Sequence, residues 1–305
     1  MRSMSCARAG SSANSLWRRP STTCPPAAMA RRCWATSRSA TRWPRGLGPI
    51  ESRSMPVRAA RAACLSGAAV ILAGGACAPG TARTGETAVT KIVALGDSTT
   101  NCVKKAGVTE ETAWRTLLAA DLARRLGRPV EVVNAGVDAD TAPLALQRLE
   151  RDVLARRPDW VVVMLGTNDA GFFRPPNGVA DTPRVAIAEF EAALREIIQR
   201  VRKAGAGVML CTSLPMSGHY ALRNLPAYQK HGLNYLVKQY AEVTRHLAKE
   251  FGLPIAEVHE TFERHPERDA LIPDGIHPDP RGQRLIADTL LPVMERALAA
   301  TASSR

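Results

Sequence analysis

From Lys91 onward the chain alternates short apolar runs with longer stretches in which apolar residues recur every three or four positions. The runs are "KIVALG" (91–96), "VEVVNAG" (130–136), "DWVVVMLG" (159–166), "GVMLCTS" (207–213) and "LPIAEV" (253–258). Three of them are apolar almost without alternation, as strands covered on both faces are. Between the runs, Leu117, Leu118, Leu122 and Leu126 fall on one helical face. So do Leu146, Leu149, Val153 and Leu154, and later Ile187, Phe190, Leu194, Ile197 and Val201. The pattern predicts another long helix over 228–250 and a last one over 280–299. Asp279-Pro280 offers that last helix an N-cap and a proline at its first position. Strands interleaved with helices predict a doubly wound α/β domain over 90–300, with a five-stranded parallel sheet covered on both faces. No internal repeat and no second linker interrupts it.

The text before residue 90 is of another kind. Residues 1–54 hold ten Arg and one acid, Glu51, with no apolar periodicity beyond a turn. They read either as a basic arm without a core or as translation upstream of the true start. The stretch from Met55, "MPVRAARAACLSGAAVILAGGACAPG", favours the second. Arg58 and Arg61 precede a small apolar run, and Ala76-Cys77-Ala78 fits an A-x-A cleavage site. This is the layout of a secretory signal peptide over 55–78, followed by a linker over 79–89. It predicts export to the periplasm or the medium. A lipoprotein acylated at Cys77 ranks second, because Gly74-Gly75-Ala76 lacks the Leu usual three positions before such a cysteine. The apolar run is too short for a membrane span, which needs about 20 residues.

The net charge of +13 changes meaning once it is located. Residues 85–305 carry 28 basic and 27 acidic residues, so the predicted domain is nearly neutral. The charge therefore gives no reason to expect nucleic acid as a partner. Only Cys102 and Cys211 lie in that domain, at a spacing that implies neither a zinc site nor a disulfide framework. No metal or cofactor is implied.

In doubly wound sheets, ligands bind beyond the carboxyl ends of the strands. The polar residues there are Asp97 and Ser98 after the first run, "NAGVDADT" at the second, "LGTNDAG" after the third, and "IPDGIHPDP" late in the segment after the fifth. Taken alone, Ser98 reads better as a helix-capping hydroxyl than as a nucleophile. Asp274 and His277 stand at a spacing that puts carboxylate and imidazole within one turn of chain. Pro278 disfavours helical geometry at His277. Such an imidazole can take the proton of an attacking serine while the carboxylate holds its other nitrogen. The fifth strand would lie three positions from the first, roughly 14 Å away at 4.8 Å per strand. The long segment 259–276 supplies the chain needed to cross that gap.

These four blocks resemble the SGNH hydrolases, the GDSL esterase/lipase superfamily. The matching text is Gly96-Asp97-Ser98, Asn134-Ala135-Gly136, Gly166-Thr167-Asn168-Asp169 and Asp274-Gly275-Ile276-His277-Pro278. The resemblance covers about 90–300. It departs at Thr99, where the family's short name has Leu. It implies a flavodoxin-like three-layer α/β/α sandwich with strand order 2-1-3-4-5. It further implies a carboxylic ester hydrolase working through a covalent acyl-enzyme, with Ser98, His277 and Asp274 as catalytic residues. The oxyanion donors it implies are the Ser98 and Gly136 backbone N–H groups and the Asn168 side-chain amide. Glycine at 136 would let the backbone approach the substrate.

Asp97 and Asp169 are expected to cap helices and brace loops. Phe172 and Phe173 in "AGFFRPPNG", and the segment 213–224, are expected to wall the substrate pocket. With no long hydrophobic lid evident, the expected substrate is a small-molecule or carbohydrate ester rather than a lipid droplet. Two alternatives use the same text. One is an acyltransferase with the same site. The other is a flavodoxin-like binding module, which leaves Asp274 and His277 without a role. Oligomeric state is not encoded in any pattern found.

Overall fold

A computed structural model describes residues 89–303 apart from Asn177, so the expectations for 1–54 and 55–78, and nearly all of the 79–89 linker, lie outside the described residues. The first half comprises β1 (Thr90–Gly96), α1 (Ser98–Asn101), α2 (Trp114–Leu126), β2 (Val130–Gly136), α3 (Ala142–Asp152), β3 (Trp160–Met164) and α4 (Thr167–Ala170). A small hairpin of β4 (Phe173–Arg174) and β5 (Gly178–Val179) follows, then α5 (Ile187–Lys203) and β6 (Gly207–Cys211). The chain continues through α6 (Pro226–His231), α7 (Tyr235–Phe251), β7 (Ile255–Ala256), α8 (Val258–Glu263), α9 (Arg268–Leu271) and α10 (Pro280–Ser303).

The five long-range strands form one parallel sheet in the order β2-β1-β3-β6-β7, which is the expected 2-1-3-4-5 arrangement. Burial explains why the strands lack alternation. On β1, Val93 and Leu95 pack with α3, α5 and α7, whereas Ile92 and Ala94 face the α2 and α10 side. On β3, Val161 and Val163 share the first core, and Val162 and Met164 the second. A strand covered on both faces has no solvent side to mark with polar residues.

Three elements differ from the pattern. The fifth strand shrinks to Ile255–Ala256 at the sheet edge, where it pairs with β6 alone. The expected helix over 228–250 is two helices, broken at Gly232, whose φ is 92°. That conformation is open to glycine and ends α6 without strain. The segment 259–276 is not one long coil but carries α8 and α9. At α10 the expected cap is present, with Asp279 Oδ1 accepting the Gly282 N–H at 2.8 Å.

Register positions the functional edge. Gly96 is level with Gly136 on β2 and with Met164 on β3. The loops that follow the three central strands therefore open at the same height. Among the described residues, no helix is long and apolar enough to cross a membrane.

Candidate active site

Ser98 is the first residue of the four-residue helix α1, directly after β1. Asp97 caps that helix, its Oδ1 accepting the Thr99 N–H at 2.8 Å. A turn this tight requires glycine ahead of it: a Cβ on Gly96 would lie 2.2 Å from Thr100 Oγ1 and 2.8 Å from the Met164 carbonyl. The Ser98 N–H, at the open end of α1, donates to no protein acceptor.

The loop before α10 brings the imidazole across the sheet. His277 Nε2 lies 2.9 Å from Ser98 Oγ, and His277 Nδ1 lies 2.7 Å from Asp274 Oδ2. Asp274 Oδ1 accepts the N–H groups of Ile276 at 3.0 Å and His277 at 2.7 Å, so the turn that carries the histidine also fixes the carboxylate. Partial burial pushes the Asp274 carboxyl up, but these hydrogen bonds and the neighbouring imidazole outweigh it and hold it below its ordinary value. It is therefore ionised at neutral pH and suited to accept from Nδ1–H. The three groups form a continuous path along which a proton can leave the serine hydroxyl.

Asn168 lies in α4, after β3. One hydrogen of its amide goes to Asp97 Oδ2 at 3.2 Å, and its side chain borders the cleft beside Ser98. Gly136 is placed otherwise than expected. Its N–H donates to Asn134 Oδ1 at 2.9 Å, so the hydrogen is already engaged. A Cβ there would lie 2.5 Å from the Asn101 N and 2.8 Å from the Asp97 carbonyl. Glycine at 136 thus serves the packing of α1 against β2 rather than the approach of a substrate. In the same loop Ala139 holds a left-handed φ of 58°, unusual for a residue with a side chain.

The two phenylalanines part company. Phe173 lines the cleft beside Ser98. Phe172 turns into the core, edge-on to Tyr228 with ring centroids 4.9 Å apart. From the segment 213–224, Met216, Tyr220, Ala221 and Leu222 line the cleft, which encloses about 360 Å³.

Asp97 and Asp169 are both buried. Burial raises the Asp97 carboxyl to about 6, against the Thr99 hydrogen bonds and the His277 charge. Burial raises Asp169 to about 7, and the Asp97 charge adds to it. Asp169 Oδ1 accepts the Ala142 N–H at 2.8 Å at the start of α3, while its Oδ2 has no partner.

Arg148 carries no signal in the sequence, and Asp140 shows there only as one of the acids of the loop entering α3. Arg148, buried on α3, donates to Asp140 Oδ2 through Nε at 2.8 Å and Nη2 at 2.6 Å. It also donates to the Ala135 carbonyl at 2.8 Å and the Gly96 carbonyl at 3.1 Å. The helix pattern gives no signal for it: beside Leu146 and Leu149, Arg148 reads as one more charge on an amphipathic helix.

With this geometry in place, comparison with known proteins is specific. The GDSL-like Lipase/Acylhydrolase family model matches residues 94–285, more than half of the chain. An acetylxylan esterase of Geobacillus stearothermophilus is 29% identical over 210 residues, covering 66% of this chain and 92% of that protein. An uncharacterized lipoprotein, YqeF, of Bacillus subtilis is 27% identical over 176 residues, covering 52% of this chain and 70% of its own. In fold, the chain is similar to a lipase/acylhydrolase crystal structure from Enterococcus faecalis, with a TM-score of 0.52, 23% identity, and coverage of 68% and 96%. The chain belongs to the GDSL-like lipase/acylhydrolase family and is a carboxylic ester hydrolase.

Proposed function

We propose that this chain is an exported serine esterase that hydrolyses acyl esters of small or carbohydrate-type alcohols through an acyl-enzyme on Ser98. The observation that carries the reading is the path Asp274–His277–Ser98, with separations of 2.7 and 2.9 Å. Ser98 Oγ attacks the ester carbonyl while His277 Nε2 takes its proton. The Ser98 N–H and the second amide hydrogen of Asn168 receive the negative charge that develops on the carbonyl oxygen. The intermediate collapses, His277 returns the proton to the departing alkoxide, and the acyl group stays on Ser98. Water, deprotonated by His277, then attacks the acyl carbonyl and frees the acid and the serine. Asp274 stabilises the imidazolium at both stages.

An alcohol moiety of carbohydrate type is supported by the acetylxylan esterase among the relatives. Export rests on the signal-like text at 55–78 and accords with the Bacillus lipoprotein relative. The test is hydrolysis of p-nitrophenyl esters by Ser98→Ala and His277→Ala, each expected to fall by about 10³-fold or more. A fluorophosphonate label should map to Ser98. Ser98→Ala retaining most of the activity would sink the mechanism.

A further inference from the structure

We propose that the cleft beside Ser98 is an acyl-chain pocket, and that it makes this enzyme prefer esters of medium-length apolar acids over acetyl esters. The inference rests on the reading of Ser98 as nucleophile. Its first support is position. The departing alkoxide must receive its proton from His277 Nε2, so the alcohol lies on the histidine side. The cleft is bordered by Ser98, Thr99 and Asn168 and, on the turn that carries His277, by Ile276, while His277 and Asp274 are not among its walls. It therefore adjoins both Ser98 and the Asn168 amide, between which the acyl carbonyl would lie.

The second support is chemistry. Beyond Ser98 and Asn168 the walls are Phe173, Val179, Met216, Tyr220, Leu222 and Ile276. The polar groups nearby are mostly committed. The Thr167 hydroxyl donates to the Leu214 carbonyl at 2.8 Å, and the Asp97 carboxylate accepts from Thr99 and Asn168. That leaves the hydroxyls of Thr99, which is buried, and of Tyr220. A sugar ring placed here would bury several hydroxyls without partners, at a cost of about 1–3 kcal/mol for each group so stranded. An alkyl chain brings none.

Size is the third. A water-sized group occupies about 30 Å³, so an eight-carbon acyl chain takes roughly 240 Å³. The cleft of about 360 Å³ holds that, whereas an acetyl methyl leaves most of it unfilled. The far limit is the β4–β5 hairpin. Val179 borders both this cleft and a second cavity lined by Phe172, Leu225 and Ala227, so it stands as the wall between them.

The test is kcat/KM on p-nitrophenyl acetate, butyrate, hexanoate and octanoate, which share one leaving group. Each methylene fully buried contributes about fourfold, so hexanoate is expected to exceed acetate by about tenfold or more, allowing for partial burial. Ala221, exposed on the cleft rim, offers a way to fill it without disturbing the core. Ala221→Trp is expected to lower the hexanoate-to-acetate ratio about tenfold, and Val179→Trp to do the same from the opposite wall. The ratio is insensitive to partial unfolding, which lowers both rates together. A profile flat or falling from acetate, in an enzyme that Ser98→Ala silences, overturns the pocket alone. So does an unchanged ratio in both tryptophan variants. Ester hydrolysis that survives Ser98→Ala overturns the nucleophile assignment, and this inference with it.

Discussion

The Arg148 guanidinium donates to the Gly96 carbonyl at 3.1 Å, two residues ahead of Ser98. The same side chain holds the Ala135 carbonyl on β2 and the Asp140 carboxylate in the loop beyond it. One buried cation thus ties together the ends of two strands and the loop facing α1. Arg148→Met leaves Asp140 buried without its partner. Burial already pushes the Asp140 carboxyl up with Arg148 in place. The variant is expected to lose about 3–5 kcal/mol of stability in urea denaturation at pH 7. A loss under about 1 kcal/mol would place it among ordinary surface changes and refute the tie.

Gly275 sits between Asp274 and Ile276 with a φ of 98°, and a Cβ there would lie 2.2 Å from Tyr220 Cα. Backbone, unlike a flexible side chain, cannot give way cheaply. Gly275→Ala is expected to displace the turn that carries His277 and to lower kcat/KM by about 10²-fold, the effect of roughly 1 Å of misplacement. Gly205→Ala provides the contrast. It shares a positive φ of 84° but has no atom within 4 Å of its built Cβ. That variant is expected to lose stability alone. Equal activity in the two variants would show that the turn tolerates displacement.

Asp169 gives the protein a pH dependence of unusual sign. Its carboxyl is raised from 3.8 to about 7, because burial penalises the charge and the buried Asp97 carboxylate adds to the penalty. A carboxyl raised on folding holds its proton more tightly in the folded chain. Its contribution to stability therefore falls as pH rises from 3.8 to about 7, and the loss is complete above that. Asparagine keeps the acceptor for the Ala142 N–H and removes the charge. Asp169→Asn is expected to match the wild type near pH 4 and to exceed it by on the order of a few kcal/mol near pH 8. Urea midpoints across that range check this, and a difference that does not change with pH would refute the shift.

The sequence by itself determined the layers and the order of the elements. Runs such as "WVVVM" are apolar at every position because both faces of β3 are covered, and that survives in the text without a structure. Ser98 and Asn168 stand out because they closely follow apolar strand runs, and Asp274 and His277 because of their spacing in the long segment after the fifth. The shortness of β7 was not legible, because it depends on where pairing with β6 ends rather than on local propensity, whereas the break between α6 and α7 sits at a glycine, Gly232, that the chain does show.

Tertiary structure alone decided which hydrogens are free. In the text, Gly136 is a glycine at a strand end and suits an approaching substrate. In space, its N–H meets Asn134 and the place of its missing Cβ is filled by α1. Adjacent Phe172 and Phe173 read alike, yet alternation along the chain sends one into the core and the other to the cleft. Arg148 reads as one more charge on an amphipathic helix, and only the convergence of two carbonyl and two carboxylate acceptors makes it a buried brace. Sequence patterns record which faces are buried. Which polar groups satisfy one another across the fold is set by distances between residues far apart in the chain, and no local pattern encodes them.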